Sequence, residues 1–303
     1  MKADITAIIL TFNESQHIKR CIESVRDFCC DVVVVDSFST DDTQAIAENL
    51  GARFYQHAFV NHASQFNWAL DNIDISTEWI FRIDADEYAE AGLKQELAGA
   101  LPQADAEVCG FFVRRKYVFM GQWIRRGAMY PIDVLRVFRR GSGRVEPRWM
   151  DEHIVLERGR AARLQGNIVD DNLNSIGWWV DKHNKYATLE MLELLNLKYG
   201  FLPGDTSTAR HVGGQAKLKR WIKTVIYAKL PYFVRPLLYF LYRYFLKLGF
   251  LDGVNGFAFH FMQGCWYRCL VDLKMLEAER WIAKEQDAAT IKEILKLKTG
   301  LRL

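Results

Sequence analysis

The sequence predicts an α/β fold: a mostly parallel sheet covered by helices on both faces, followed by a helical, basic and aromatic C-terminal extension. Short apolar runs rich in Val and Ile alternate with amphipathic stretches over the first hundred residues. Both features are typical of parallel strands that are buried on both faces. The extension is predicted because the composition becomes basic and aromatic after Pro203 and Gly204.

Four strands are predicted in the first part of the chain, at residues 5–10, 32–35, 53–56 and 79–83. Helical stretches separate them, and the helix at 42–50 can be capped by Thr40 or Asp41. In open parallel sheets, ligands bind at the carboxyl ends of the strands. The polar segments that directly follow three of the strands, 11–14, 36–43 and 84–87, are therefore the candidates for function.

The elements that follow are predicted from alternation and glycines. Residues 109–138 alternate as β-strands do, a loop follows at 141–143, and a helix is expected at 176–199. Glycines at 249, 253 and 256 indicate a turn, or close packing, before a final amphipathic helix that ends near residue 285. Four arginines of the β region can bind a diphosphate or an anionic acceptor, although the solubility of an edge strand explains some of them equally well: Arg114, Arg115, Arg125 and Arg126.

The size, charge and motifs of the chain exclude several classes of protein. Its 303 residues, 50% of them hydrophobic, allow a full α/β core with a smaller appendage, and a net charge of +3 indicates no nucleic-acid partner. The glycine signatures of dinucleotide-binding and P-loop proteins are absent. The sequence has no apolar run of about 18 residues, no signal peptide and no zinc-type cysteine spacing, so we expect a cytoplasmic protein.

Asp84 and Asp86 form an Asp-Ala-Asp segment at the end of a buried strand. Two carboxylates this close repel unless a cation lies between them. Carboxylate oxygens are ligands that suit Mg²⁺ or Mn²⁺ bound to a diphosphate. The segment therefore predicts a metal and diphosphate site, with an ordinary acidic turn as the alternative.

Two further clusters carry side chains for chemistry. Asp36 and Glu14, with free backbone groups after the first strand, can hold a nucleotide. The acidic segment Asp151-Glu152-His153 can supply a carboxylate that takes the proton of an acceptor hydroxyl during sugar transfer. The alternative for this second segment is a solvated loop paired with nearby arginines.

Five ordered blocks of the chain resemble family 2 glycosyltransferases of the GT-A fold, in the branch that builds lipopolysaccharide cores and related bacterial polysaccharides. The blocks are "AIILTFNESQHIKRCIESV", "DVVVVDSFSTDDTQAIAENLGARFY", "QFNWALDNIDISTEWIFRIDADEY", "DKHNKYATLE" and "KLGFLDGVNGFAFHF". Together they extend over nearly the whole chain, which makes the resemblance far more specific than the Asp-Ala-Asp segment alone.

The resemblance implies an inverting, metal-dependent transferase that uses a nucleotide-sugar, with UDP-glucose as the default donor. Asp84 and Asp86 would form the metal and diphosphate motif, with Asp86 the more direct ligand of Mn²⁺ or Mg²⁺. The nucleotide-sugar would be held by Thr11, Glu14, Asp36, Asn67 and Asp84. The family's acidic base aligns with the segment that contains Asp151 and Glu152, and we favour Glu152.

Two departures from the family pattern concern the donor. The family often has an arginine directly before the residue that aligns with Asn67, where this chain has Phe66, so the resemblance implies no arginine contact to the donor phosphate at this position. It also often has a histidine before the fourth block, where this chain has Asp170-Asp171-Asn172, so the resemblance implies no histidine contact to the metal or diphosphate there.

Residues 217–247 combine eight Lys and Arg residues with a dense set of aromatic and leucine residues. This composition predicts helices that lie in the headgroup region of an anionic membrane, with cationic side chains reaching outward. A helical subdomain that packs its aromatics on the catalytic core is the alternative. We expect the protein to be peripheral on the inner face of the cell membrane.

The predicted organisation is a catalytic domain at 1–205, with a nucleotide-sugar half at 1–105 and an acceptor half at 106–205, and a helical membrane-associating region at 206–303. The predicted acceptor is a lipopolysaccharide core, a lipid-linked sugar or another polysaccharide. A polyprenyl-phosphate glycosyltransferase, whose phosphate nucleophile needs no strong base, is the second hypothesis. A non-catalytic membrane-bound scaffold is the third.

Overall fold

The computed structural model describes residues 2–146, 152–202, 230–283, 285 and 287–301. The chain divides into two compact units, Met1–Asn174 and Ser175–Leu303. Two hydrophobic clusters lie in the first unit and a third lies in the second.

The first unit begins with alternating strands and helices. In chain order these are β1 (Ala3–Thr11), α1 (Ile18–Val25), β2 (Cys29–Asp36), α2 (Thr43–Asn49), β3 (Arg53–Gln56), α3 (His62–Asn72) and β4 (Trp79–Asp84). The four strands pair in the order β3-β2-β1-β4, and every pair is parallel. The predicted strands and their parallel arrangement are therefore confirmed.

The apolar strand sequences explain why helices cover both faces of this sheet. Ile9 and Val34 belong to one hydrophobic cluster, whereas their chain neighbours Ile8 and Val33 belong to the other. Successive side chains of a strand point to opposite faces, so a strand that is apolar throughout needs a cover on each side. Helix α1 supplies residues to the first cluster and helix α3 to the second.

The rest of the first unit extends the sheet with mostly antiparallel strands. The elements are β5 (Glu87–Ala89), α4 (Ala91–Ala100), β6 (Val108–Phe119), β7 (Gln122–Ile124), β8 (Ile132–Arg139), β9 (Gly143–Val145), β10 (Ile154–Leu156) and β11 (Arg160–Asp171). The sheet continues from β4 in the order β8-β6-β11-β5, with β6 and β11 parallel, and β9 pairs with β10 separately. The β-rich prediction for residues 109–138 is confirmed.

Strand β11 returns to the acidic segment that follows β4. Its Gly166 lies so close to helix α4 that an added Cβ would be 2.4 Å from the Cα of Leu93, so a side chain at this position would push the strand away. Strand β11 then pairs antiparallel with β5, which sets Asp170 opposite Glu87. The residues directly after β11 consequently lie beside the Asp-Ala-Asp segment.

The second unit is helical over its described residues. It contains α5 (Ile176–Tyr199), α6 (Val234–Leu241), a π turn (Tyr242–Leu246), a 3-10 turn (Gly249–Asp252), α7 (Gly253–Phe261), a second π turn (Met262–Trp266), α8 (Tyr267–Ile282) and α9 (Ala288–Thr299). The helix predicted at 176–199 is present: Ser175 caps its first turn by accepting from the amide of Trp178 at 3.3 Å, and Gly200 ends it with φ +65°.

Helix α5 belongs to the second unit because its buried side chains pack with α8 and α9. Ala187, Met191 and Leu195 share a hydrophobic cluster with Val271 and Met275. The compact units therefore divide after residue 174, whereas the sequence predicted a boundary after residue 205. The helical nature of the C-terminal region is as predicted.

The glycines of the second unit permit close packing, one of the two roles predicted for them. An added Cβ at Gly249 would lie 2.6 Å from the ring of His260, and one at Gly256 would lie 2.4 Å from the Cβ of Asp252. The amphipathic helix predicted to end near residue 285 is two helices, α7 and α8, with a π turn between them. It is not the final helix, because α9 follows it. Among the described helices, none has the length and apolar character that crossing a membrane requires.

Candidate active site

The carboxyl ends of β1, β2 and β4 meet at one edge of the sheet, which we call the rim. Thr11 pairs with Asp36 in the β1–β2 register, and Leu10 pairs with Asp84 in the β1–β4 register. The three polar segments that follow these strands are thus neighbours, as the sequence predicted.

Asp36 lies at the centre of the first two segments, fully buried. One carboxylate oxygen accepts from the Thr11 hydroxyl at 2.8 Å and from the Ser39 hydroxyl at 2.5 Å, and the other accepts from the Ser39 amide at 2.7 Å. The Thr11 and Asp36 side chains, both predicted to hold the nucleoside, are therefore bonded to each other. They fix the shape of the two loops.

A second set of bonds links the loop after β1 to the loop after β2. The amide of Asn13 donates to the Ser39 hydroxyl at 2.7 Å, and the side-chain oxygen of Asn13 accepts from the Thr40 amide at 2.8 Å. Asp41 accepts from the amide of Thr43 at the start of α2, which confirms its capping role. Sequence analysis missed Asn13, whose φ of +55° is typical of an asparagine in a tight turn.

Glu14 is joined to the end of β11 through a histidine that sequence analysis did not select. The Nδ1 atom of buried His17 lies 2.6 Å from a Glu14 carboxylate oxygen, and its Nε2 accepts from the amide of Leu173 at 2.8 Å. Because Nε2 accepts, the proton of the neutral ring is on Nδ1, facing Glu14. His17 therefore holds the segment after β11 against the rim.

Asp84 is paired with arginines of two strands. One oxygen accepts from Arg136 of β8 at 2.9 Å, and the other lies 3.5 Å from Nε of Arg82. Burial alone would raise the pKa of Asp84, but the charges of Arg136 and Arg82 together lower it well below its ordinary value. Asp84 is therefore an ionised carboxylate whose charge is already balanced by the protein.

Glu87 shares Arg136 with Asp84 and is almost fully buried. Its carboxyl accepts from Arg136 at 2.6 Å and from the amide of Asp84 at 3.0 Å. Burial, with the negative charges of Asp84 and Asp170, raises the pKa of Glu87 to about 8 against the opposing effect of Arg136. At neutral pH the pair therefore places its negative charge mainly on Asp84.

Asp86 has a different environment from Asp84. Its carboxylate accepts from the side-chain amide of Asn172 at 3.0 Å, while its main-chain oxygen accepts from the amide of Asp171 at 3.1 Å and lies 3.4 Å from Arg20. Within the described residues, no lysine or arginine forms an ion pair with this carboxylate. Asp86 is thus the member of the Asp-Ala-Asp segment whose charge remains to be balanced.

These carboxylates fit a metal that is shared with a ligand. No group of three or more His, Cys, Asp or Glu side chains in the described ranges is arranged to hold an ion without other ligands. Mg²⁺ and Mn²⁺ are commonly held by one or two carboxylates, with phosphate and water oxygens completing the shell. Asn172 turns its NH₂ group to Asp86 and its oxygen accepts from the amide of Asn174 at 3.0 Å, so it orients Asp86 in this structure.

Glu152 lies close enough to the rim to be influenced by it, whereas Asp151 lies outside the described residues. Burial raises the pKa of Glu152, the charges of His62 and Arg82 lower it, and Asp84 raises it further. The charged groups that influence Glu152 are thus residues of α3 and β4. A half-buried carboxylate with a raised pKa is a stronger base than an exposed one.

The predicted anion-binding arginines have other contacts in the structure. Arg115 faces Asp170 at 4.0 Å, and the guanidinium of Arg125 lies 4.4 Å from the centre of the Trp123 ring. Arg125 and Arg126 are exposed. The arginines paired with the Asp84 carboxylate are Arg136 and Arg82, which the sequence did not single out.

Asn67 is bonded to the main chain and not to the rim loops. Its amide nitrogen donates to the carbonyl of Val145 at 2.9 Å, and its oxygen accepts from the amide of Val145 at 3.0 Å. Phe66 beside it is fully buried, and the guanidinium of Arg82 lies 5.5 Å from its ring centre. Asn67 therefore joins α3 to β9.

Two exposed aromatic rings flank the bonded loops. Phe12 follows β1 and is 58% exposed, and Phe38 follows β2 and is 54% exposed. Phe38 has φ +61°, a conformation that costs energy for a bulky residue and is found mainly where the surroundings enforce it. Such rings offer flat apolar surfaces at the rim, a feature that the sequence signals by placing phenylalanines inside two polar segments.

Comparison with protein families identifies the class. The model of glycosyl transferase family 2 matches residues 6–163, slightly more than half of the chain and nearly all of the first unit. The protein therefore belongs to glycosyltransferase family 2, and the predicted fold class, a mixed, largely parallel sheet flanked by helices with a helical C-terminal region, is confirmed.

Relatives within the family differ in how much of the chain they match. The lipopolysaccharide core biosynthesis glycosyltransferase LpsC of Rhizobium meliloti is 31% identical over 62% of this chain and 71% of its own length. An uncharacterised glycosyltransferase of Rickettsia conorii is 41% identical over a segment that covers 31% of this chain and 32% of that relative. Among solved structures, glucosyl-3-phosphoglycerate synthase of Mycobacterium tuberculosis with Mn²⁺ and UDP-glucose is 22% identical over 38% of this chain and 43% of its own, with a TM-score of 0.31.

Proposed function

We propose that the protein is an inverting, metal-dependent glycosyltransferase that moves a sugar from a nucleotide-sugar to a lipopolysaccharide-core, lipid-linked or other polysaccharide acceptor. The observation that carries this proposal is the contrast between Asp84, neutralised by Arg136, and Asp86, whose carboxylate accepts from an amide. A rim with one such carboxylate is suited to share a cation with a diphosphate. Membership of glycosyltransferase family 2 supports the same activity.

Asp86 would hold Mn²⁺ or Mg²⁺, with Asn172 fixing the orientation of its carboxylate. When bound, the ion supplies positive charge that stabilises the departing nucleoside diphosphate. The positive charges of Arg82 and Arg136 keep Asp84 ionised beside it. The loops joined by Thr11 and Asp36 would hold the nucleoside, with the exposed rings of Phe12 and Phe38 as surfaces for the base.

Glu152 would act as the general base. A hydroxyl acceptor must lose its proton as it attacks the anomeric carbon, and one carboxylate on the face opposite the leaving group performs this step in an inverting transfer. Glu152 is half-buried and burial raises its pKa, which supports this role, while Asp151 lies outside the described residues. UDP-glucose is the default donor, as the resemblance to family 2 glycosyltransferases implies.

The protein would work on the cytoplasmic side of the cell membrane, attached to its inner face as a peripheral protein. The similarity to a lipopolysaccharide core glycosyltransferase supports an acceptor that is anchored in a membrane. The basic residues between 210 and 229 support an anionic membrane surface as a partner.

The test is a transfer assay with the full chain. A panel of labelled nucleotide-sugars, Mn²⁺ and membranes that contain lipopolysaccharide cores are incubated with the wild type, with the double variant Asp151→Ala and Glu152→Ala, and with Glu157→Ala as control. We expect transfer from one donor and a loss of at least about 100-fold in the double variant. Full activity of the double variant, with polyprenyl phosphate as acceptor, would establish the alternative reaction, and absence of transfer together with absence of nucleotide binding would favour a scaffold.

A further inference from the structure

The exposed hydrophobic side chains of the protein are concentrated in one short stretch. Of the 24 large hydrophobic residues exposed among the described residues, 14 lie between residues 233 and 261. We call this the apolar face. Its most exposed members include Leu237, Phe245, Leu246, Leu251 and Val254, with Leu246 76% and Val254 83% exposed. Contiguous apolar surface of this kind marks an interaction site.

Three charged residues of the same stretch are buried: Arg235, Arg243 and Asp252. Arg235 is buried and bonded to buried Asp272 through Nε at 2.8 Å. Arg243 is 1% exposed, contacts Gln263, and lies with its guanidinium 5.3 Å from the ring centre of Phe259. For these two arginines the prediction of outward-reaching cations in residues 217–247 is wrong, because the ion pair with Asp272 and the contacts with Gln263 and Phe259 hold them inside. The five Lys and Arg residues between 217 and 229 lie outside the described residues.

The polar interior also contains Asp252, 5% exposed, and His260, fully buried. Lys247 is the exposed Lys or Arg between residues 233 and 261, and its ammonium group lies 5.5 Å from the ring centre of Tyr242. Helices in water bury apolar groups and expose charge. Charged residues inside and apolar residues outside indicate a surrounding medium that is itself apolar.

The packing inside this region is too close for the apolar face to turn inward. Gly249 leaves no room for a Cβ beside His260, and a Cβ at Gly264 would lie 3.4 Å from the guanidinium of Arg243. Rotating the helices to bury the exposed leucines would remove Arg235 and Arg243 from contact with their partners. The apolar face is therefore built into the fold of this unit.

We propose that the apolar face inserts into the acyl-chain region of a lipid bilayer. The charge pattern of the chain favours this occupant over a protein partner. A protein interface normally has a polar rim, whereas this face carries one exposed cation, Lys247, and follows a segment, 205–229, with six Lys or Arg residues and one Asp. An apolar face next to a basic segment matches acyl chains beneath anionic headgroups.

This inference rests on the proposed membrane attachment and specifies its mode, the insertion of apolar side chains. It is independent of the chemistry at the rim. Attachment through headgroup charge is screened by salt and needs anionic lipid. Insertion of apolar side chains is not screened by salt and does not need anionic lipid. The full chain should accordingly bind neutral vesicles at high salt, and anionic lipid should add to that binding.

The experiment is flotation of the full chain with vesicles of phosphatidylcholine alone, and of phosphatidylcholine with phosphatidylglycerol, at low and high salt. The face variant carries Leu246→Asp and Val254→Asp. The matched control carries Leu197→Asp and Leu297→Asp, which replace leucines of the same unit that are 67% and 83% exposed outside the apolar face. Thermal unfolding and nucleotide binding are measured on each protein to establish that it folds.

We expect the wild type and the control to float with both vesicle types at both salt concentrations, and the face variant to lose at least about tenfold in partitioning. Equal flotation of the face variant and the control would overturn the proposal. Flotation of the wild type with anionic vesicles alone would overturn it in favour of headgroup attachment. A wild-type dimer that does not float, and that the face variant converts to a monomer, would assign the face to a second copy of the chain. If all the proteins bind nucleotide, the proposed enzymatic function is retained whichever of these results is obtained.

Discussion

Two carboxylates separated by one residue have different roles because their neighbours differ. Asp84 ends a buried strand and accepts a hydrogen bond from Arg136 of the adjacent antiparallel strand. Asp86 lies two residues further along the chain and accepts a hydrogen bond from the side-chain amide of Asn172. Glu87 completes the buried group and accepts from the same nitrogen of Arg136, Nη2, as Asp84 does. The arginine thus stabilises the rim while Asp86 keeps its charge for a ligand.

Replacing Arg136 should destabilise the first unit. Arg136→Met leaves Asp84 and Glu87 without their shared cation, and breaking a buried pair costs about 3–5 kcal/mol. We expect a smaller loss, about 2–4 kcal/mol in the free energy of urea unfolding, because the Asp84 side chain is 36% exposed. Arg144→Met is the control: its pair with Asp71 is exposed and should contribute less than about 1 kcal/mol. Equal effects of the two variants would show that Arg136 has no structural role.

Glu152 should set the acidic limit of activity. A general base works in its ionised form, so kcat/KM should fall as pH falls through the pKa of Glu152, which burial raises above that of an ordinary glutamate. A pH profile of kcat/KM between pH 4 and 8 measures this limit, and Glu152→Gln should lose at least about 100-fold at its plateau. The exposed Glu157→Gln variant should match the wild type. An unchanged profile in Glu152→Gln would remove Glu152 from the reaction.

At the scale of elements, the rim depends on two loops that fold against each other. Asp36 accepts from Thr11 and Ser39, while Asn13 bonds Ser39 and Thr40. Because each loop is held by groups of the other, the β1 and β2 ends form one surface. Preorganised loops reduce the ordering cost of binding a nucleotide.

Removing the central carboxylate should loosen both loops together. In Asp36→Ala the buried hydroxyl of Thr11 and the half-buried donors of Ser39 lose their acceptor, which we expect to lower the free energy of unfolding by about 1–3 kcal/mol and to weaken nucleotide binding. Asp42→Ala is the control, since exposed Asp42 makes no side-chain capping bond, and should change stability by less than about 0.5 kcal/mol. Urea unfolding and nucleotide titration of both variants measure these effects. A stable Asp36→Ala variant with normal affinity would contradict the account of the loops.

At the scale of the whole molecule, the sequence predicts local features such as strands and their ends. It does not predict which distant residues strand pairing brings together. The Val-rich strand β2 and the acidic segment after β4 can be predicted because buried strands and their ends leave a recognisable pattern in the sequence. Arg136 is 52 positions from Asp84, and Asn172 is 86 positions from Asp86. Those partners depend on which strands lie next to each other, and composition does not reveal strand order.

The same limit explains why the sequence did not place α5 with the C-terminal helices and did not show that Arg235 and Arg243 are buried. Helix α5 shows an ordinary helical pattern, and its assignment to the second unit depends on packing against α8, far along the chain. Arg235 reads as a surface cation until its partner Asp272 is known. Each of these differences comes from a contact between distant parts of the chain.

The central claim is that the rim binds a nucleoside diphosphate through a metal on Asp86. Calorimetric titration of the full chain with UDP and other nucleoside diphosphates, with and without Mn²⁺, tests it beside Asp86→Asn, with Asp42→Asn as the control. The account predicts that one nucleotide binds in the presence of Mn²⁺, and that Asp86→Asn weakens this binding at least about tenfold while Asp42→Asn does not. Equal binding with and without the metal, or unchanged binding by Asp86→Asn, would contradict it.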